Sequence, residues 1–98
     1  MQILFERSGG FAGIRMTKSI HSEELPAEEE RVLCELVEAA HFFELPAVMR
    51  ASDRGADRFQ YRVTVEGDER KHSIQVDEAA APPALKALLN WLSAARKP

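Results

Sequence analysis

The chain has 98 residues, the length of one domain, which excludes barrels and doubly wound dinucleotide-binding folds. Its 13 basic and 16 acidic residues give a net charge of −3, which argues against a dedicated nucleic-acid-binding protein. A single cysteine excludes an intramolecular disulfide, and no stretch approaches the ~20 apolar residues of a membrane helix. The first residues also lack the pattern of a signal peptide. We therefore expect one domain over residues 1–98 that is soluble, cytoplasmic and bound to neither nucleic acid nor membrane.

The N-terminal part of the chain predicts a β-hairpin. Residues 2–7 form a short apolar run. Residues 14–21 alternate between two faces, and Lys18 is the one charged residue on the face expected to point inward. Segment 8–13 has three glycines in six residues, which predicts a turn that needs positive φ or a close backbone approach. Phe11 stands alone on this turn, so it either folds back onto the core or contacts a partner.

The clearest predicted element is a helix that begins near Pro26. Proline suits the first helical position, and the glutamates at 28–30 stabilise a helix N-terminus through its dipole. Cys34 lies beside the apolar stripe of this helix, and we expect a half-buried thiol with no chemical role, because acidic residues flank it. The stripe continues to the break at Leu45-Pro46 and contains Leu33, Leu36, Val37, Ala40 and Phe43.

The second half of the chain predicts a polar loop, a hairpin and a second helix. Residues 51–57 form the loop, and residues 58–66 alternate more regularly than any other part of the chain. A turn at 67–69 connects this strand to a fourth strand at 72–77. After an apolar linker at 79–83, leucines recur at helical spacing: Leu85, Leu88, Leu89 and Leu92.

The order of elements is ββαββα. It predicts an α+β fold with a four-stranded antiparallel sheet and two helices packed on one face. The other face of the sheet is then open to solvent. The residues expected to point inward are Phe5, Ile14, Met16, Leu33, Leu36, Val37, Phe59, Tyr61, Val63, Val65, Ile74, Val76, Leu88, Leu89 and Leu92.

The direction of the chain predicts where the connections lie. If the first helix runs back along the second strand, three connections gather at one end of the sheet: residues 8–13, 44–57 and 78–83. The opposite end then holds the turn at Gly67 and the link at 22–25, together with the two termini. Long connections on a rigid scaffold are where binding residues concentrate.

The sequence contains no recognisable catalytic or metal-binding constellation. His21, His41 and His72 lie in three different elements without metal-ligand spacing. We expect His72 to be a core histidine and His41 to lie favourably at the end of the first helix. Asp53 and Asp57 form either a carboxylate pair or, with the neighbouring arginines, a solvated charge cluster. We therefore predict no enzyme activity, no cofactor and no metal.

Two segments, FERSGGFAGI at residues 5–14 and GADRFQY at residues 55–61, resemble the Emfourin family of small bacterial protein inhibitors. The resemblance implies an inhibitor of protealysin-like and thermolysin-like zinc metalloproteases that blocks the substrate cleft. It does not itself designate the contact residues, but both segments fall where the loops gather. The expected partner-binding residues are therefore Gly9, Gly10, Phe11, Ala12, Gly13, Asp53, Arg54 and Asp57.

Two kinds of contact with such a protease follow. Phe11 would suit the pocket that takes bulky apolar side chains. Alternatively, Asp53 or Asp57 could approach the zinc, because carboxylates are competent zinc ligands. The alternative function is a non-enzymatic interaction module or regulatory subunit that uses the same loops or the polar face of the sheet. In both cases we expect a protein partner and a chain that is monomeric when free.

Overall fold

The structure of the protein is a computed structural model that describes residues 1–9, 15–50, 59–67 and 69–94. These ranges contain five strands and two α-helices: β1 (Gln2–Gly9), β2 (Met16–His21), α1 (Ala27–Ala39), β3 (Val48–Met49), β4 (Phe59–Glu66), β5 (Lys71–Asp77) and α2 (Pro83–Ala94). Single turns of 3₁₀-helix lie at Ser22–Glu24, Phe42–Glu44 and Glu78–Ala80. The α+β class predicted from the sequence is confirmed.

The strands form one sheet in the order β2-β1-β4-β5-β3. β1, β2, β4 and β5 pair antiparallel, as predicted. A fifth strand, β3, was not predicted. Its residues Val48 and Met49 pair in parallel with residues 75–76 of β5. The Gln75 amide also donates to the carbonyl oxygen of Ala47 at 2.8 Å. The expectation of a four-stranded, purely antiparallel sheet is therefore wrong, since a two-residue strand is too short to show alternation in the sequence.

One face of the sheet carries the core, and both helices contribute to it. In β4, buried Tyr61, Val63 and Val65 alternate with more exposed neighbours. The buried side chains form one cluster that also contains Ile3, Phe5, Leu33, Val37, Ile74, Val76, Leu85, Leu88, Leu89 and Leu92. Ile14 lies outside the described residues. Three of the residues predicted to point inward are only half-buried, namely Met16, Leu36 and Phe59.

Helix α1 ends at Ala39, and the chain then leaves the predicted helical stripe. His41 has a left-handed φ of 50°, which is typical of the residue that follows a helix. Phe42 is fully buried, whereas Phe43, predicted as the last residue of the stripe, is half-buried. A helical period carried past the end of α1 therefore selects the wrong phenylalanine for the core.

Helix α1 crosses the strands instead of running back along them. It follows Ser22, whose amide donates to the carbonyl oxygen of Met1 at 2.9 Å, beside the start of β1. It precedes Phe42, whose ring lies 5.7 Å from that of His72, near the start of β5. Both ends of the helix therefore lie at the same end of the sheet. Thirteen residues make a helix about 20 Å long, which is enough to span the three strand spacings from β2 to β5, about 14 Å.

This direction corrects the predicted position of the connection at 44–57. The carbonyl oxygen of Leu45 accepts a hydrogen bond from His72 Nε2 at 2.7 Å, so the connection starts beside the β4–β5 turn. It turns toward the other end of the sheet along β3, which runs parallel to β5. The expectation that all of it gathers with the other two connections is therefore wrong for residues 44–47.

Lys18 occupies the inward position on β2 that the sequence marks as imperfect. Its ammonium group donates to the carbonyl oxygens of Leu92 at 3.1 Å and Ser93 at 2.9 Å, in the last turn of α2. Carbonyls at a helix C-terminus lack partners within the helix, and the dipole there favours a cation. Lys18 thus joins the edge strand β2 to α2.

Candidate functional site

The candidate site is the end of the sheet where β1 ends and β4 begins, which we call the loop end. Gly9, the last residue of β1, is the ladder partner of Phe59, the first residue of β4. Partner residues in an antiparallel pair have α-carbons about 4.5–5.5 Å apart. Segment 10–14 therefore leaves the sheet beside the point where segment 51–58 returns to it. The register brings the attachment points of the two predicted binding segments together.

Among the eight residues expected to contact a partner, Gly9 is the one that the structure describes. Its φ is 96°, in the left-handed region that favours glycine, as the glycine-rich turn predicts. The other seven lie outside the described residues: Gly10, Phe11, Ala12, Gly13, Asp53, Arg54 and Asp57. Their contacts with a partner stay predictions.

A layer of aromatic and cationic side chains lies next to the loop end. Arg7 of β1 and Tyr61 of β4 are ladder partners. The guanidinium carbon of Arg7 lies 4.7 Å from the ring centroid of Phe59, an arrangement stabilised by the charge distribution of the ring. The ring of Phe5 lies 5.9 Å from that of Tyr61 and connects the layer to the core. The inward position of Arg7 could have been predicted, because Arg7 continues the alternation of Ile3 and Phe5 along β1. It was not among the residues expected to point inward.

Tyr61, with 7% of its surface exposed, is more buried than Arg7 and Phe59. Burial, and to a lesser extent the negative charge of Glu78, raise the pKa of Tyr61, while the positive charge of the neighbouring Arg7 acts in the opposite direction. The phenol therefore stays protonated at neutral pH. Its ring packs in the core against Phe5.

Glu78 connects β4 to the turn that follows β5. Among the described residues, the β4–β5 register ends at the pair of Gln60 and Asp77, so Phe59 has no ladder partner on β5. The Phe59 amide donates instead to Glu78 Oε1 at 3.4 Å. The Glu78 side chain thus extends the ladder by one long hydrogen bond at the residue where segment 51–58 ends.

The face of the sheet opposite the helices is polar. Arg15 Nε lies 3.3 Å from Glu6 Oε2, where the chain returns from segment 10–14. Farther along the sheet, Thr64 Oγ1 and Ser73 Oγ share a hydrogen bond of 2.7 Å. This open polar face is the contact surface that the alternative function would use.

The described parts of the chain contain no metal-binding cluster, since no three His, Cys, Asp or Glu side chains in them could hold an ion together. His72 is a half-buried core histidine, as predicted, with its ring against Phe42 and its Nε2 hydrogen-bonded to Leu45. His41 is exposed just beyond α1. Within the same ranges, no helix is long and apolar enough to cross a membrane.

A solvent-open groove of about 480 Å³ lies between α1 and the β4–β5 turn, opposite the loop end. Its lining includes Cys34, Phe43 and Arg70, and the guanidinium carbon of Arg70 lies 4.2 Å from the ring centroid of Phe43. Cys34 is exposed, because α1 packs on the core through Leu33 and Val37, so the expectation of a half-buried thiol is wrong. The thiol lies at the end of the sheet away from the candidate site.

Neither a curated protein nor a solved structure matches the chain. A sequence model of the Emfourin family matches residues 5–93, from β1 to the last turn of α2. The matched range contains both segments that resemble the family and most of the sheet and helices on which the loop end stands. The chain therefore belongs to the Emfourin family.

Proposed function

We propose that this protein inhibits thermolysin-like zinc metalloproteases, including protealysin-like ones, by occupying their substrate cleft with the loop end. Membership of the Emfourin family implies a protease-inhibitor role. The pairing of Gly9 with Phe59 supports the location, because these residues lie within the two segments that resemble the family and their pairing places the two segments side by side. A cleft can then be filled from both segments at once.

The size of the protein suits this role. Protease–inhibitor contacts bury about 1,600 Å² in total, or about 800 Å² on each partner. The accessible surface of the chain is 6540 Å², so one end of the molecule can supply that area. The polar sheet face and the groove beside α1 are not needed for the contact.

The two segments bring different chemistry to a protease. Phe11 in segment 10–14 supplies a large apolar side chain for the pocket that takes bulky apolar residues of substrates. Asp53 or Asp57 in segment 51–58 supplies a carboxylate that can ligate zinc. An inhibitor that places either group in the cleft competes directly with the substrate, and it needs no catalytic group of its own.

The decisive experiment is a titration of the protein against a thermolysin-like protease with a peptide substrate. The same titration runs in parallel with a serine protease and a cysteine protease. We expect the metalloprotease to lose activity as the protein is added, and the other two enzymes to keep theirs. Equal inhibition of all three enzymes, or of none, contradicts the proposal.

A further inference from the structure

We propose that Arg7 is a positioning residue of the loop end, which holds the two attachment points, Gly9 and Phe59, in a fixed relation before a protease binds. This inference rests on the proposed function and deepens it. It assigns part of the inhibitory strength to a side chain that lies outside segments 10–14 and 51–58, although within the first of the two segments that resemble the family.

The geometry that supports this role is a diagonal contact between strands. Arg7 lies two residues before Gly9 on β1, and its ladder partner on β4 is Tyr61. Its guanidinium group nevertheless reaches the ring of Phe59, two residues before Tyr61, at 4.7 Å from the ring centroid. Diagonal neighbours in an antiparallel pair lie about 7–8 Å apart, within reach of long side chains. Arg7 therefore links the end of β1 to the start of β4.

Phe59 is held from two directions. Its ring lies under the Arg7 guanidinium, and its amide donates to Glu78 Oε1 at 3.4 Å. The amide contact is long and exposed, so the stacked guanidinium is the stronger of the two restraints. Without Arg7, the Phe59 ring would keep only its contacts at the edge of the core, while its backbone would keep the pairing with Gly9 and the long hydrogen bond to Glu78.

The order of the two attachment points matters because ordering a flexible surface during docking costs affinity. An inhibitor whose attachment points are already ordered loses less conformational freedom when the protease closes around it. A cation–π contact at a partly buried site is worth on the order of tenfold in an equilibrium constant. Loss of the Arg7 contact should therefore weaken inhibition by about this factor without abolishing it.

Three variants of the full chain test the role of Arg7. Arg7→Leu removes the charge and the planar group, and Arg7→Lys keeps the charge but not the plane that stacks on the ring. Arg62→Leu is the matched control, because Arg62 is an exposed arginine on β4 and lies on the open face of the sheet. We expect the inhibition constant to rise about tenfold for Arg7→Leu, less for Arg7→Lys, and under about twofold for the control.

A second measurement uses the free protein and needs no protease. Amide hydrogen exchange at Gly9 and Phe59, followed by NMR, should be several-fold faster in Arg7→Leu than in the wild type, and unchanged in Arg62→Leu. The phenol absorbance reports separately on the charge of Arg7 beside Tyr61, which is the single tyrosine of the chain. Loss of Arg7 should raise the pKa of Tyr61 further, since the arginine lowers it.

A double variant separates positioning from direct contact with the protease. If Arg7 acts through Phe59, then Arg7→Leu combined with Phe59→Leu should weaken inhibition by less than the product of the two single effects. Multiplicative effects, with unchanged exchange at Gly9 and Phe59, would overturn the positioning role and indicate a direct contact. If Arg7→Leu fails to fold, Arg7→Lys carries the same comparison.

The two proposals fail in different ways. If the wild-type protein inhibits no metalloprotease, the proposed function is wrong, and hydrogen exchange in the free protein alone decides on Arg7. Equal exchange in the wild type and Arg7→Leu then refutes the positioning role, and faster exchange in the variant supports it. If the wild type inhibits and Arg7→Leu inhibits equally well, only the inference about Arg7 is wrong.

Discussion

Lys18 on β2 and Leu92 on α2 are joined by a hydrogen bond of 3.1 Å between the ammonium group and the backbone carbonyl. The same ammonium donates to the carbonyl of Ser93 at 2.9 Å. A charged side chain can therefore occupy an inward position of the sheet, because the end of a helix supplies the acceptors that it needs. The contact ties the outermost strand on one side of the sheet to the C-terminal helix.

Replacement of Lys18 by methionine tests this contact. The Lys18→Met variant keeps the apolar stem and removes the charge-assisted hydrogen bonds, so we expect the free energy of unfolding to fall by about 1.5–3 kcal/mol. Urea denaturation measures the change. The matched control is Lys71→Met, an exposed position on β5, which should alter stability by less than about 0.5 kcal/mol. Equal losses in both variants would contradict the assigned role of Lys18.

His41 carries the left-handed backbone that ends α1, with φ at 50°. This conformation costs conformational free energy for a residue with a β-carbon, whereas glycine adopts it freely and is the common residue after a helix. We expect His41→Gly to raise the free energy of unfolding by about 0.5–1 kcal/mol. Ala39→Gly, at the last residue of α1 two positions earlier, should instead lower it by up to about 1 kcal/mol, because glycine is a poorer helix former than alanine. A loss of stability in His41→Gly would show that the imidazole stabilises the helix end by more than the backbone conformation costs.

Phe11 is the residue on which the proposed contact with a protease most depends. If it anchors a partner, Phe11→Ala should weaken inhibition about thirtyfold or more, near 2 kcal/mol, and leave the melting temperature nearly unchanged. If it instead caps the core, the variant should lose about 3 kcal/mol or more of stability. Enzyme titration and thermal melting together separate the two roles.

The matched control for Phe11 lies on the open face of the sheet. Thr64 shares a hydrogen bond with Ser73 there, away from the loop end. Thr64→Ala should leave inhibition unchanged. If Thr64→Ala abolishes inhibition while Phe11→Ala does not, the sheet face is the contact surface and the loop end is not.

Cys34 should have no part in inhibition, although it is exposed. It lines the groove beside α1, and that groove lies at the opposite end of the sheet from Gly9. Cys34→Ser should therefore change the inhibition constant by less than about twofold, under 0.5 kcal/mol. A folded Cys34→Ser protein with strongly reduced inhibition would relocate the contact to the groove.

Tyr61 should make the stability of the protein depend on pH in the alkaline range. The pKa of Tyr61 is raised in the folded protein, mainly by burial, so the unfolded chain loses the phenolic proton first. The contribution to stability is present below the ordinary tyrosine pKa of about 10 and is lost as the pH rises through the folded value. The stability advantage of the wild type over Tyr61→Phe should therefore shrink above about pH 10. Urea denaturation at pH 8 and at pH 11 measures it, and a constant difference would contradict the shift.

The alternation of side chains predicts the four longer strands because each has one buried and one open face. Val63 and Val65 are buried as the period of two requires. The same period places Arg7 and Lys18 inward, and the sequence shows this too. It cannot show their partners, because the ring of Phe59 and the end of α2 come from distant parts of the chain and meet these residues only in the folded sheet.

Other features escape sequence analysis for physical reasons. β3 is too short to have a period, and its pairing depends on the neighbouring β5. The direction of α1 depends on how the helix packs across the sheet, which its own stripe of apolar residues does not encode. The turn at His41 breaks the helical period, so Phe42 becomes the core residue instead of Phe43.

The candidate site was partly predictable. The glycine-rich segment and the resemblance to a family predict which residues contact a partner, and the direction of the chain predicts that both segments lie near one end of the sheet. What the sequence does not specify is that β1 and β4 are neighbours in the sheet. This order makes Gly9 and Phe59 ladder partners and brings the two attachment points together.

Gly9 and Phe59 lie about fifty positions apart in the chain, so their pairing closes a long loop. β1 and β4 are also the strands through which the two hairpins join. In a folding intermediate, each hairpin could form before β1 pairs with β4. The two binding segments would then lie on separate hairpins. We therefore expect inhibition to appear only with this last non-local pairing, so that a nascent or partly folded chain is inert toward its partner protease.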